Sequence, residues 1–580
     1  MRRVNGGAIA SLLCVLLLLA MPTSVMGQAP PAAAAPSSPA GQTYTSISGQ
    51  QLPRAMGRSI PAIWGMNGIV AAPSPIAPSV ALNVLMQGGN AVDAAVTAAA
   101  MVTLTDLASN SIGGHGTMVM YWAKTKEVKI LDWGGFLPHA FTIDQWGTPA
   151  AMPQRSVLNT IMPGTLAGWA EALRAYGTIP LAKALAPSIK YAEEGLPTTP
   201  SLARRIAGDI ETIKTMPELA RMLLIDGRAP APGELLKLPD LARTYRLIAE
   251  QGPDVFYKGA IAEKIVKYMN DNGSRFTREE FATYKPIWRD FVTTTYRDRY
   301  QIYTVKNQNF SPVICTMFNV WEHFDLPKMG ILSAETLHLI IEATKMGLAD
   351  RTAYYGDPDF VKVPYDILTG KAYGKRLADK IRMNKALPVE PGDITGLKED
   401  GHTLSLSVVD KDQNAVLLTQ TLGGGWGSYH VVPGTGIILN NEGTFFDLAP
   451  GNTNYPMAGK RVENQMAGAL VLRDGKLFAG MGAPGGTSIP VNIAQVLERM
   501  IDFDAGAQEA IEVPRVNPSL TGRTTPEQGI PWETLEKLWK IGHYFNAPNA
   551  GGRMAGFRIW DSGVIEAGAE PGGNYTSAAY

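Results

Sequence analysis

Cysteine is nearly absent from this chain: two residues in 580, Cys14 and Cys315. Cys14 sits inside an N-terminal apolar run, so once that run is removed a single cysteine remains, and neither an internal disulfide nor a thiolate metal cluster can form. Histidine is also sparse. His115, His139, His323, His338, His402, His430 and His543 are scattered, with no His-Glu-x-x-His pair, so no metal ligand set is expected. An excess of either charge is missing too, because 52 Lys and Arg balance 52 Asp and Glu. That balance gives no electrostatic case for nucleic acid or an anionic membrane surface. The glycine-rich stretch 111–117 has no lysine at phosphate-cradling spacing, and no Gly-x-Ser-x-Gly elbow occurs, which leaves nucleotide binding and a Ser-His-Asp hydrolase without support. The expected partner is a small molecule, and no cofactor is expected.

What is present is a globular composition, 45% hydrophobic and 18% charged, long enough for a layered body with a divided core. Residues 1–27 read as an export signal: Arg2 and Arg3, an apolar run from Ala8 to Met21 too short for a confident span, and small residues before Gly27. A periplasmic or secreted location follows. Residues 28–54, rich in Ala, Pro, Ser and Gly, read as a flexible lead-in.

Helical spacing is expected over 79–86 and 90–107, with Asn90 as N-cap, then over 164–176, 181–194, 258–270, 312–324 and 334–350. Strands are expected at 118–122, 128–133, 293–305, 467–472 and 476–480, the last two joined by an Asp474-Gly475 turn. Gly485-Gly486 stands between a strand and the helical segment 489–501, where backbone N–H groups can meet an anion. Sheets in the middle with helices outside give an α/β layered fold.

The organising stretch is 401–421. Both 403–409 and 415–421 alternate with period two around the polar loop 410–414, which predicts a hairpin pairing Val409 with Ala415, Ser407 with Leu417, Ser405 with Thr419 and Thr403 with Thr421. Thr403, Ser405 and Ser407 then share one face, either towards water or held by partners, and the Thr421 hydroxyl can orient that of Thr403. With metals and a Ser-His-Asp triad set aside, a hydroxyl nucleophile needs a base. An N-terminal threonine carries its own, an α-amine with a reference pKa of about 8.

Several stretches together resemble the γ-glutamyltransferase family of N-terminal-nucleophile hydrolases: 88–95, Pro163-Gly164-Thr165, 192–195, 403–410, Thr419-Gln420-Thr421, 433–436, Leu439-Asn440-Asn441-Glu442 and Pro484-Gly485-Gly486. The resemblance runs from about Ala55 to the C-terminus. It implies a four-layer αββα fold and a precursor that cleaves itself between His402 and Thr403, giving a large subunit 55–402 and a small subunit 403–580. It further implies Thr403 as nucleophile, Thr421 as its support and the N–H groups of Gly485 and Gly486 as the oxyanion hole.

The departures fall on substrate recognition. Where the family has an arginine for the glutamyl α-carboxylate, in Asp-Phe-Arg-Glu, this chain has Asp132-Trp133-Gly134-Gly135. The family's asparagine falls on Gly423, an acidic residue for the α-amine falls on Phe445, and a Ser-Ser pair falls on Asn464 and Gln465, while Asn441 and Glu442 match. Leu404-Ser405 replaces the usual Thr-His after the nucleophile, which bears on autoproteolysis. Trp133, Phe136, Trp426, Tyr429, Phe445 and Phe446 bring aromatic surface to the region. The expectation is an amidase or acylase whose acyl group is not γ-glutamyl. The alternatives are a γ-glutamyltransferase in which Arg461 or Lys460 replaces the missing cation, and a catalytically silent binding protein.

Overall fold

The computed structural model describes residues 43–45, 51–53, 59–147, 152–306, 310–388, 402–463, 466, 468–520, 522–572 and 574–580. The export signal of the sequence reading lies outside the described residues. In the lead-in, expected to be flexible, Thr43–Thr45 and Gln51–Pro53 pair as two short antiparallel strands, in keeping with the Thr and Tyr of the first.

Two seven-stranded sheets form the centre. One runs, edge to edge, Tyr575–Ala579, Ile69–Pro73, His402–Val409, Ala415–Gly423, His115–Trp122, Glu127–Asp132 and Ile287–Arg289. The other runs Phe291–Tyr296, Tyr300–Val305, Gly468–Arg473, Lys476–Gly482, Ala555–Ile559, Ile565–Ala569 and Ile63–Gly65. Every neighbouring pair in both is antiparallel. The sheets face each other through a layer that includes Val119, Leu417, Leu470, Phe557 and Ile565. Outside the first sheet pack Ala91–Thr105, Thr165–Tyr176 and Leu181–Glu194. Outside the second pack Pro312–Trp321, Ala334–Tyr354 and Ser488–Asp502. This is the αββα arrangement of N-terminal-nucleophile hydrolases.

Local chemistry explains the elements that position the centre. Helix Ala91–Thr105 begins at a reciprocal cap, with Asn90 Oδ1 accepting from the Val92 and Asp93 amides and Asp93 accepting from the Asn90 amide. Asp93 also accepts from Thr178, which ties the cap to the turn before Leu181–Glu194. The helix is buried on every side, as its alanine-rich sequence allows. At the hairpin loop, Asp410 accepts from the amides of Asp412 and Asn414, from the Asn414 side chain and from the Ala91 amide at 3.0 Å. The segment 293–305 is two strands rather than one, Phe291–Tyr296 and Tyr300–Val305, turned at Arg297 and Asp298, both at positive φ. The C-terminal strands Ala555–Ile559 and Ile565–Ala569 carry little sequence signal, being rich in Ala and Gly. Cys315 is buried, and burial pushes its thiol up to about 12.

Trp133 is fully buried, and glycines make room for its indole. A Cβ on Gly168 would lie 2.2 Å from the ring, and one on Gly116 would lie 2.6 Å from its nitrogen. Alanine at 168 favours the helix by roughly 1 kcal/mol, but forcing a methyl into this contact costs about 1–3 kcal/mol or more. Gly168→Ala is therefore expected to lower unfolding stability in urea by about 1–2 kcal/mol, and an unchanged midpoint would contradict the packing described.

Candidate functional site

The expected hairpin register is the one observed: Thr403 opposite Thr421, Ser405 opposite Thr419, Ser407 opposite Leu417 and Val409 opposite Ala415. The hydroxyl face does not meet water. It faces the second sheet, and Thr403, Ser405 and Ser407 are buried. Ser407 Oγ donates to the Ala555 carbonyl at 2.9 Å, and Ser405 Oγ lies 3.3 Å from Thr419 Oγ1. The alternate residues Leu404, Leu406 and Val408 join the core beneath Ala91–Thr105. Each residue type thus has the environment its chemistry requires.

At the end of this row the Thr403 hydroxyl donates to Thr421 Oγ1 at 3.5 Å, and Thr421 Oγ1 accepts from the Gly423 amide at 2.8 Å. The Gly423 amide fixes the Thr421 oxygen, and that oxygen orients Thr403. The pairing shifts register between His402 and Thr403, so the ladder is irregular at the peptide bond that joins them. Strand Lys476–Gly482 delivers Ala483-Pro484-Gly485-Gly486 from the opposite sheet. Gly485 and Gly486 adopt φ of 123° and 63°, conformations that favour glycine. The Ser488 hydroxyl donates to the Gly485 carbonyl at 2.8 Å. Among the described residues, neither glycine amide donates to a backbone carbonyl.

Thr421 pairs across the sheet with His115, a fully buried residue whose Nε2 lies 2.7 Å from Glu442 Oε1. Thr403, Thr421 and His115 therefore form one row on the inter-sheet face, with Glu442 at its end. Asn441 Oδ1 accepts from the Gly424 amide at 2.7 Å. A Cβ on Gly423 would lie 2.5 Å from that oxygen, and Gly423 has φ of 96°.

The aromatic expectation changes in space. Trp133 is core, as described. Trp426 is fully buried, its indole donating to Asp209 at 2.7 Å. Phe446 packs on Trp146. Of the six aromatics named above, Phe445 alone is only half-buried. Gly134 donates to Asp132 Oδ1 at 2.7 Å, and Asp132 is paired with Arg289 at 3.1 Å, so this buried cation is already matched. Lys460 is likewise committed, donating to the carbonyls of Thr453 and Tyr455, and burial lowers its pKa. Arg461 lies over Phe136 and 3.3 Å from Asp359. Asn464 and Gln465 lie outside the described residues, and of His402 only the backbone is described.

Two of the scattered histidines do meet. His338 Nδ1 and His543 Nε2 are 2.7 Å apart beside Glu342, which takes the Lys345 ammonium at 2.7 Å. Burial holds His543 down to about 3. Each candidate ligand atom already has a protein partner, so the cluster is a satisfied polar contact.

Sequence reasoning missed His115, whose signal was a histidine among glycines entering a strand. It also missed Tyr575, whose phenol oxygen accepts from the Ser405 amide at 3.1 Å; nothing local marks that residue.

A family model described as Gamma-glutamyltranspeptidase matches residues 77–580. The chain is 34% identical over 530 residues to a glutathione hydrolase proenzyme of Escherichia coli K12, covering 87% of this chain and 90% of that protein. It is 32% identical over 518 residues to an acylase ACY 1 proenzyme of Pseudomonas sp. SE83, covering 87% and 92%. Among solved structures, a cephalosporin acylase from Bacillus halodurans superposes with a TM-score of 0.84 at 29% identity, over 90% of this chain and 97% of that one. A Helicobacter pylori gamma-glutamyltranspeptidase chain superposes with a TM-score of 0.53 at 31% identity, over 55% and 95%. The two-sheet fold, the paired threonines at its centre and the match across most of the chain lead to one conclusion: this protein belongs to the gamma-glutamyltranspeptidase family of N-terminal-nucleophile hydrolases.

Proposed function

We propose that the chain is an exported precursor that cuts itself before Thr403 and then cleaves an amide whose acyl group is not γ-glutamyl. The observation that carries this is the buried Thr403–Thr421 hydroxyl pair beside an irregular ladder at His402. The proenzyme names of the relatives support it.

In the first step Thr403 Oγ adds to the His402 carbonyl carbon. The His402–Thr403 C–N bond breaks, an ester forms on Oγ, and the Thr403 nitrogen becomes an amine. Water then cleaves the ester, leaving a carboxyl terminus at His402 and an N-terminal Thr403. In the second reaction that amine accepts the hydroxyl proton as Oγ attacks the substrate carbonyl. The Gly485 and Gly486 amides stabilise the developing oxyanion. The proton passes to the leaving nitrogen, the substrate C–N bond breaks, and water or another amine resolves the acyl-enzyme. Thr421, fixed by the Gly423 amide, holds Oγ on line throughout.

The acyl preference follows from the recognition positions. Gly134 brings no cation, the nearby Arg289 is neutralised by Asp132, and Lys460 is spent on carbonyls. Gly423 cannot be an asparagine without displacing Asn441. A free α-amino acid head therefore lacks most of its charged partners, each worth roughly 1.5–3 kcal/mol. With Phe445 alone only half-buried, the case rests on absent charge more than on an aromatic pocket.

Denaturing electrophoresis with N-terminal sequencing should show two chains, the smaller beginning at Thr403, and Thr403→Ala should remain a single chain. An uncut wild type would favour the silent binding protein. Thr421→Val should slow self-cleavage and lower kcat of the processed enzyme by about 100-fold through misplaced Oγ, with Thr421→Ser restoring most of it; full activity in the valine variant would remove Thr421 from the mechanism. On anilides, kcat/KM for γ-glutamyl should fall at least about 100-fold below that for a simple carboxylic acyl group, given two lost charged contacts. Comparable values would return the protein to γ-glutamyl chemistry.

A further inference from the structure

His115 is flanked by Gly113, Gly114 and Gly116, so its imidazole is the one side chain that this stretch offers to its surroundings. The sheet decides where that ring stands. His115 pairs with Thr421, and Thr421 pairs on its other side with Thr403, which puts the imidazole on the inter-sheet face two strands from the hydroxyl pair. On the opposite flank the Trp133 amide donates to the Gly116 carbonyl at 3.0 Å, and the residue that follows Trp133 is Gly134. No side chain at 134 competes for the space the ring takes.

The ring meets a carboxylate. Asn440 Nδ2 donates to the Gly113 carbonyl at 2.9 Å, and Asn440 Oδ1 accepts from the Glu442 amide at 3.3 Å. Those two bonds fasten the loop to the segment that enters His115, and Glu442 Oε1 comes to 2.7 Å from His115 Nε2. Both side chains are buried. Among the described residues no other Lys, Arg or His is within ion-pairing distance of this carboxylate, and neither ring nitrogen makes a directed hydrogen bond. Glu442 Oε1 also lies 3.2 Å from the place a Cβ on Gly423 would take, and the Gly423 amide fixes Thr421. The carboxylate is thus one residue removed from the group that orients Thr403.

A buried carboxylate left unpaired is costly, and it draws a cation from whatever enters the site. Here an imidazole already stands against it. An ammonium on a substrate would find Oε1 occupied and would have to displace a ring that is itself buried. An acyl group without an ammonium requires no such displacement.

We propose that His115 is a specificity-determining residue: it occupies the Glu442 carboxylate and so turns the acyl site against groups that carry an ammonium. The proposal rests on the reading of Thr403 as the nucleophile of an amidase for acyl groups other than γ-glutamyl. It deepens that reading by assigning the preference to a side chain that is present, in addition to contacts that are absent.

The test compares two anilides on the processed enzyme, glutaryl and γ-glutamyl, which differ by one ammonium. Both are measured on one preparation, so their kcat/KM ratio cancels losses of folded or processed protein. Wild type should favour glutaryl. His115→Leu, close to the imidazole in volume, should shift the ratio towards γ-glutamyl at least about tenfold, as a gained hydrogen bond to a charged group would. His115→Asn, smaller and uncharged, should shift it in the same direction and serves where leucine blocks processing. Adding Glu442→Gln to either variant should return the ratio to within about twofold of wild type, because the two substitutions act on one contact. A ratio unmoved by both His115 variants, or moved equally with Glu442→Gln present, would overturn the proposal. Calorimetric titration of glutamate and of glutarate reads the same difference without turnover, and His115→Leu should raise the affinity for glutamate relative to glutarate by a similar factor. If wild type cut neither anilide, the acyl-transfer reading would fail by itself, and the change in the titration ratio would still decide whether His115 guards Glu442.

Discussion

A row of hydroxyls sealed between two sheets is the constraint on which the rest depends. Ser407, Ser405 and Thr403 are buried, so each needs a partner or costs on the order of 1–3 kcal/mol unsatisfied. The partners come from the opposite sheet at Ala555 and from the neighbouring strand at Thr419 and Thr421. Sliding the strand by one residue would bring Leu404 and Leu406 into this polar row and push serines under the helix. Register, fold and the alignment of the two threonines are therefore one requirement. The alignment of Thr403 with Thr421 is held by packing and needs no special device of its own.

The same logic marks what could be read from residues alone. Period-two alternation and a polar five-residue loop were enough to pair Thr403 with Thr421, because side-chain period and loop length together leave little freedom. The Asn90 cap and the buried alanine-rich helix were equally legible. The direction faced by the hydroxyl row was not, since alternation separates two faces without saying which meets water. Nor could spacing reveal His115 beside Glu442, which depends on elements hundreds of residues apart meeting at one end of a sheet. Aromatic residues misled for a related reason. Trp133 and Trp426 sit next to the right positions in sequence, yet glycines at 116 and 168, and Asp209, draw their rings into the core.

Gly423 shows how a family scaffold becomes committed to its departures. Its amide positions Thr421, its φ is positive, and the space a side chain would need is taken by Asn441. Asparagine at that position would strain the backbone and collide with Asn441. The shape of this corner is coupled to the placement of the Thr421 hydroxyl, so the two cannot drift independently.

Asp410, at the other end of strand His402–Val409, carries a mechanical implication. It grips the start of a buried helix and both sides of its own loop, which makes that end a fixed anchor. A cut before Thr403, as proposed, would free only the end of the strand whose pairing is already irregular. The new terminus would then be a cantilever, clamped along its length by the strand pairing behind it.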